Sequence, residues 1–216
     1  MTKKLVVFDM DGTLINGNTW EVFNTKLGVT KGQDDSLYLA FSKNEITYRE
    51  WQTALKKIYN LSVNKHSKAQ VLQYLTEYEL KTTALESLKT ITIHGHDSLL
   101  LTGSFQMTAD AVAYELGIPN AIALTNCLFD DAGGLIDLQT SGDEQYEKVT
   151  ILKHYCEERN ISLDDCVVIG DGPNDIPLFL AVKHSVTFTD SSKEACKVAS
   201  YTINSLSELP VLIEQL

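Results

Sequence analysis

Apolar and polar positions alternate along this chain with two different periods. Residues 5–8, 99–102 and 166–169 are short apolar runs, rich in branched side chains and bounded by turn residues, which predicts buried strands. Residues 121–125 and 185–188 are further candidates. Between them the period lengthens to that of a helix, at 107–116, closed by Gly117, and at 146–158, where Val149, Ile151, Leu152 and Tyr155 form the apolar side. Strands alternating with helices predict an α/β fold, a Rossmann-like doubly wound sheet of mostly parallel strands covered on both faces.

Two stretches break the alternation. From residue 16 to residue 80 no strand is evident, while 45–59 and 67–78 read as amphipathic helices, so a small helical unit is expected to be inserted after the first strand. The expected division is a core of 1–15 and 81–216 and an insertion of 16–80. Residues 127–138, "CLFDDAGGLIDL", place Asp-Asp-Ala-Gly-Gly between apolar pieces and predict a β-hairpin. His94-Gly95-His96-Asp97 has metal-ligand residue types, but lies between a helix and a strand, where Gly and Asp are ordinary turn residues.

Composition narrows the choice of class. The chain has 216 residues, is 44% hydrophobic and 22% charged, and contains no apolar stretch long enough to cross a bilayer. The apolar run after Lys3 and Lys4 stops at Asp9, too soon for a signal-peptide core, so a cytoplasmic location is expected. The cysteines, Cys127, Cys156, Cys166 and Cys196, form no CxxC pair and read as reduced thiols. A net charge of −11 argues against nucleic acid or an anionic membrane as partner. A small phosphorylated substrate stays possible where a cation and a lysine offset the charge locally.

The chemistry concentrates at strand ends. In "LVVFDMDGTL" the first strand runs into Asp9 and Asp11, which share a face of extended chain, and Gly12 lets the backbone turn away without a Cβ in the site. Carboxylates so close are tolerated when a cation neutralises them or when one stays protonated, leaving the other as nucleophile. The strand at 166–169 runs into "GDGPND", whose Asp171, Asn174 and Asp175 offer oxygens that suit Mg²⁺, with Asp9 and Asp171 as a plausible pair of ligands. Thr102-Gly103-Ser104 precedes a helix and can hold phosphate oxygens, and Lys148 can bring positive charge to the same place.

These elements, in this order and spacing, resemble the haloacid dehalogenase superfamily of phosphohydrolases: "DMDGT", "LLLTGSF", Lys148 and "GDGPND" stand as its motifs, and the helical insertion looks like its small cap. The resemblance is greatest to the phosphoserine-phosphatase-like branch. It implies that Asp9 attacks phosphorus to form an aspartyl phosphate and that Asp11 protonates the leaving oxygen, then activates water. It also implies Mg²⁺ held by Asp9, the Asp11 backbone carbonyl and Asp171 with help from Asp175, and a phosphoryl group held by Thr102, Gly103 and Lys148.

The departures from that branch concern the leaving group. Gly12 stands where the branch carries Ser, Asn18 stands where a Glu reads the substrate amine, and the cap arginine has no counterpart in register, Arg49 falling early. Phosphoserine specificity is therefore not expected. Asn18, Trp20, Arg49 and Asn174 are the candidate substrate contacts, and Trp51 is expected to pack rather than bind. Two alternatives are a phosphomutase or phosphotransferase of the same superfamily and a non-catalytic protein that keeps the fold; intact Asp9, Asp11, Lys148 and Asp171 speak against the second.

Overall fold

The computed structural model describes residues 2–216. Its sheet contains β1 (Leu5–Phe8), β4 (Asp97–Phe105), β5 (Asn120–Phe129), β6 (Leu135–Thr140), β7 (Cys166–Ile169), β8 (His184–Phe188) and β9 (Tyr201–Ile203) in the order β6-β5-β4-β1-β7-β8-β9. All pairs are parallel except β5 with β6, the hairpin expected at 127–138. The strand order reverses direction at β1, so the crevice beside its carboxyl end, between β4 and β7, is where ligands bind in such sheets.

The all-apolar run Leu5–Phe8 reflects burial on both faces. Val6 and Phe8 pack with Leu88, Ile91, Val112 and Leu116, which belong to α5 (Ala84–Ile93) and α6 (Gln106–Leu116). Leu5 and Val7 face Leu152, Tyr155 and Cys156 of α7 (Glu144–Arg159) and Phe179 of α8 (Ile176–Ala181). The short α9 (Lys193–Val198) and α10 (Leu209–Ile213) complete the two helical layers. Gly117, at φ +71°, ends α6 in the left-handed conformation, as its place in the pattern predicts.

The segment after β1 is helical, as expected: α1 (Thr19–Lys26), α2 (Lys31–Ser42), α3 (Tyr48–Tyr59) and α4 (Lys68–Leu75). Thr30, Thr47 and Ser67 start α2, α3 and α4 with reciprocal capping boxes to Gln33, Glu50 and Gln70. Two features depart from the expectation. The segment begins and ends in a two-residue antiparallel pair, β2 (Ile15–Asn16) with β3 (Glu79–Leu80), too short to show a period. Its apolar cluster, with Phe23, Leu55, Tyr59 and Val71, continues into Phe105, Leu135 and Leu138, so the helices are seated on the β4 end and the hairpin.

The histidine-rich turn is a turn: Gly95 adopts φ +85°, and His96 accepts the Lys4 amide at 3.1 Å through Nδ1 while its Nε2 meets Glu214 at 3.1 Å. Of the cysteines, Cys156 and Cys166 are buried 3.5 Å apart without a disulfide, whereas Cys127 and Cys196 are only half-buried. Among the described residues, no helix is long and apolar enough to cross a membrane.

Candidate active site

Asp9 follows β1 directly, its amide continuing the ladder to the Ile169 carbonyl at 2.9 Å, and its side chain stands only 5% exposed beyond the sheet. The backbone then folds back on itself: the Thr13 and Leu14 amides both donate to the Met10 carbonyl, and Gly12 takes φ +75°. Glycine is favoured there twice over. A side chain would be strained at that φ, and its Cβ would fall 2.2 Å from Asp171 Oδ2. The close approach of Asp171 to the Gly12 backbone thus exists only because Gly12 has no Cβ.

β4 contributes through an irregularity. Its register with β5 shifts between Thr102 and Phe105, so Gly103 and Ser104 sit in a bulge outside the regular ladder. The Gly103 amide points into the site, while Thr102 Oγ1 accepts the Ser104 amide at 3.2 Å and keeps its own proton to donate. From the other side, α7 presents Glu144 and Lys148 one turn apart on one face. β7 ends at Ile169, and beyond Gly170 the chain folds back so that Asp175 Oδ2 accepts the amides of Asp171 at 3.1 Å and Gly172 at 3.2 Å.

Lys148 is the hub. Fully buried, its Nζ lies 2.7 Å from Asp9 Oδ1, 2.7 Å from Glu144 Oε1 and 3.0 Å from Asp175 Oδ1. Burial works to lower its pKa, but the surrounding carboxylates outweigh it and hold the amine well above the ordinary value, so it is charged. One ammonium does not offset the carboxylates gathered here. Burial, only partly countered by Lys148 and reinforced by Asp175, Glu144 and Asp171, drives Asp9 well above the usual carboxylate range. Asp171 is pushed up to about 6 by burial and by Asp175.

This surplus of negative charge is what a divalent cation would relieve. Asp9, Asp171 and Asp175 each offer a carboxylate oxygen, all within 4.8 Å of one another. An all-oxygen set with few protein carboxylates fits a hard ion such as Mg²⁺.

Asp11 stands slightly apart. Its Oδ1 accepts the Thr19 amide at 3.1 Å and also the Thr19 hydroxyl. Burial raises its pKa to about 6 against the pull of those hydrogen bonds, the range in which a carboxyl can both give and take a proton.

The sequence-predicted residues mostly converge. Asp9, Asp11, Thr102, Gly103, Asp171 and Asn174 line one cavity of about 490 Å³, which Asn18 and Trp20 enter from the helical segment. Lys148 and Asp175 lie just beneath, through their contacts with Asp9 and with the Asp171 amide. Arg49 does not converge: it is exposed on α3, outside the cavity wall. Trp51, expected only to pack, stacks on Phe41 at 4.9 Å yet also lines the cavity, with its indole N–H buried and unpartnered. Sequence reasoning passed over Thr19 and Glu144. Thr19 could have been suspected as the residue beside a helix start, whereas Glu144 gives no signal apart from standing four positions before Lys148.

Comparison with known proteins agrees with this geometry. The haloacid dehalogenase-like hydrolase family model matches residues 6–180. The chain belongs to that family. A phosphoserine phosphatase of Methanocaldococcus jannaschii is 26% identical over 187 residues, covering 86% of this chain and 85% of that one. One from Lactococcus lactis is 29% identical over 214 residues, covering 97% and 94%. A solved structure described as a phospho-aspartyl intermediate analogue of phosphoserine phosphatase superposes with TM-score 0.79 at 22% identity, covering 98% of this chain and 99% of its own. A hydrolase of the same family from Salmonella enterica serovar Typhi superposes with TM-score 0.82 at 16% identity, covering 98% and 72%. The fold is thus that of the phosphoserine-phosphatase-like branch.

Proposed function

We propose that the protein is a Mg²⁺-dependent phosphatase that hydrolyses a small phosphomonoester through a phosphorylated Asp9. The observation that carries this is the grouping of the buried Asp9 carboxylate with Lys148, the bulged Gly103 amide and an acidic triad at the carboxyl end of β1. Phosphoryl transfer requires in-line positioning and neutralised charge more than elaborate chemistry, and these residues supply both. The names of the relatives support the same reaction class.

Asp9, Asp171 and Asp175, with the Asp11 carbonyl, would hold Mg²⁺, which when bound neutralises phosphoryl charge. Asp9 attacks phosphorus as the leaving oxygen departs. Asp11, oriented by Thr19, gives that oxygen its proton and then takes one from the water that cleaves the acyl phosphate, which returns Asp9 and releases phosphate. Thr102, Gly103 and Lys148 donate to the phosphoryl oxygens throughout. Residues 16–80 act as the cap that closes over the leaving group and excludes water. A cytoplasmic enzyme is in keeping with the unpaired cysteines.

We propose no specificity for phosphoserine. Arg49 is outside the cavity, and the lysines of its wall face acidic partners: Lys56 meets Asp137 at 2.7 Å, and Lys31, exposed at the rim, lies 3.4 Å from Glu21 and 3.5 Å from Asp35. Among the described residues the lining holds no arginine and its two lysines both face carboxylates, whereas Trp20, Tyr48 and Trp51 offer aromatic walls. A leaving group larger than serine and without a carboxylate fits this better.

Phosphate release from a panel of phosphomonoesters, phosphoserine included, with and without Mg²⁺, tests the reading. Mg²⁺-dependent release that disappears in Asp9→Asn supports it. Silence across the panel from folded, Mg²⁺-binding protein refutes it, and phosphate passing to an added alcohol faster than to water favours a phosphotransferase.

A further inference from the structure

Among the carboxylates gathered on Lys148, Glu144 is the one that the proposed reaction leaves without a task. Its Oε1 lies 2.7 Å from Lys148 Nζ and accepts the Gly103 amide at 3.1 Å and the Asn174 side-chain amide at 2.9 Å. The carboxylate lies flat on Gly103: a Cβ there would fall 2.1 to 2.5 Å from its terminal atoms. The Gly103 amide and Lys148 are the donors expected to hold the phosphoryl group, so a side-chain anion sits where the substrate's anion is to go.

Donor arithmetic makes the overlap a competition. An ammonium has three N–H bonds. Lys148 donates two to Asp9 and Asp175, which leaves one N–H bond for Glu144, paired with the ammonium at 2.7 Å, or for a phosphoryl oxygen. Asp175 is fully buried and tied to backbone amides, and Asp9 must stay beside the phosphorus, so Glu144 is the partner that can leave. It is also the most accessible of the three, its side chain 28% exposed toward the cavity from the first turn of α7, where rotation can carry it into solvent. The Gly103 amide has a single proton and cannot serve both anions.

Building on the phosphatase reading, we infer that Glu144 is an internal counter-anion that fills the phosphoryl site of the free protein and must be displaced by substrate. It sets phosphoryl affinity. While the site is empty, Glu144 neutralises Lys148 and satisfies the Gly103 amide, and after hydrolysis its return helps expel inorganic phosphate.

The test is calorimetric titration of inorganic phosphate, with Mg²⁺ present, into the wild-type protein, Glu144→Gln and Glu144→Ala, with thermal melts to establish that each is folded. Displacing a charge-assisted hydrogen-bond set is a large cost, so Glu144→Ala should bind phosphate tighter by about tenfold or more. Glu144→Gln, which keeps an acceptor without the charge, should fall between, and the inhibition constant of phosphate against turnover should fall in the same order. Equal or weaker phosphate binding by both folded variants overturns the inference and makes Glu144 an organiser of Lys148. Absence of phosphate binding in all three proteins overturns it together with the phosphatase reading.

Discussion

Replacing Lys148 by Met keeps the volume of the stem and removes the charge, which isolates what the ammonium does. In the native protein Nζ lies within 3.0 Å of carboxylate oxygens of Asp9, Glu144 and Asp175, and none of its surface is exposed. Deleting one partner of a buried ion pair costs about 3–5 kcal/mol, because the remaining charge is left uncompensated. The cluster has one escape, protonation. Taking a carboxyl of ordinary pKa near 4 to its neutral form at pH 7 costs about 1.36 kcal/mol for each pH unit, roughly 4 kcal/mol, so about 4 kcal/mol is the expected loss at pH 7 without Mg²⁺. The sign follows. A carboxyl whose pKa is raised in the folded state keeps its contribution below its unfolded pKa and loses it as pH rises through the folded value. The deficit of Lys148→Met should therefore shrink by about 2 kcal/mol or more between pH 7 and pH 5, and added Mg²⁺ should shrink it at pH 7. Urea unfolding at both pH values, with and without Mg²⁺, reads this directly, and turnover should fall on the order of a hundredfold or more with the loss of a phosphoryl donor. A deficit under about 1 kcal/mol, or one of equal size at pH 5 and pH 7, would refute the account of Lys148 as the cluster's counter-charge.

Other outcomes follow from single contacts. Asp11, at about 6, must be protonated to serve the leaving oxygen, so the activity that depends on its proton falls as pH rises through that region; Thr19→Val, which removes the hydroxyl donor that lowers the Asp11 pKa, should move this limb of kcat/KM to higher pH. Asp171, also raised to about 6, costs the Mg²⁺-free protein stability as pH climbs from about 4 through 6, and in Asp171→Asn this decline should flatten in a pH series of melts. Gly170→Ala places a Cβ 2.4 Å from Asp175 Cγ and 2.8 Å from its Cβ, a clash that a flexible side-chain tip cannot absorb, and should cost about 1–3 kcal/mol in denaturant unfolding together with Mg²⁺ affinity. Asp9→Asn should abolish turnover while its melting temperature stays at or above that of the parent without Mg²⁺, because a buried excess charge has been removed.

The strand-end half of the candidate site was legible in the sequence because backbone and side chain are constrained together there. A fully buried parallel strand has to be an apolar run, and where it ends the chain has to turn, so Leu5–Phe8 and Cys166–Ile169 appear at their observed bounds and deliver Asp9 and Asp171 to one crevice. Gly12 is readable for the same reason, since positive φ and the nearness of the Asp171 carboxylate favour glycine there. What could not be read depends on contacts between distant segments. The β2–β3 pair is held by two residues on each side, below any period, and the bulge at Gly103 shows only when β4 is paired with β5. Trp51 has the spacing of a core residue on α3; only the fold shows that it lies against Phe41 with its indole N–H unpartnered at the cavity wall.

Glu144 and Arg49 show the same limit from opposite sides. Arg49 has the chemistry of a substrate clasp and a position near the expected one, but α3 begins at Tyr48 and turns Arg49 to solvent, while Tyr48 and Gln52 face the cavity. Glu144 reads as one more acidic residue favouring the start of a helix, yet it reaches Gly103 and Asn174, 41 and 30 residues away in sequence. The sheet and α7 fix where the proposed phosphoryl site lies, since they hold Asp9, Gly103 and Lys148 together. Which ester arrives, and how tightly its phosphate is held, is left to side chains on helix surfaces that packing constrains only in part. Exchanges there can alter the leaving group without disturbing the core, so the proposal about the leaving group turns on positions such as Asn18 and Arg49.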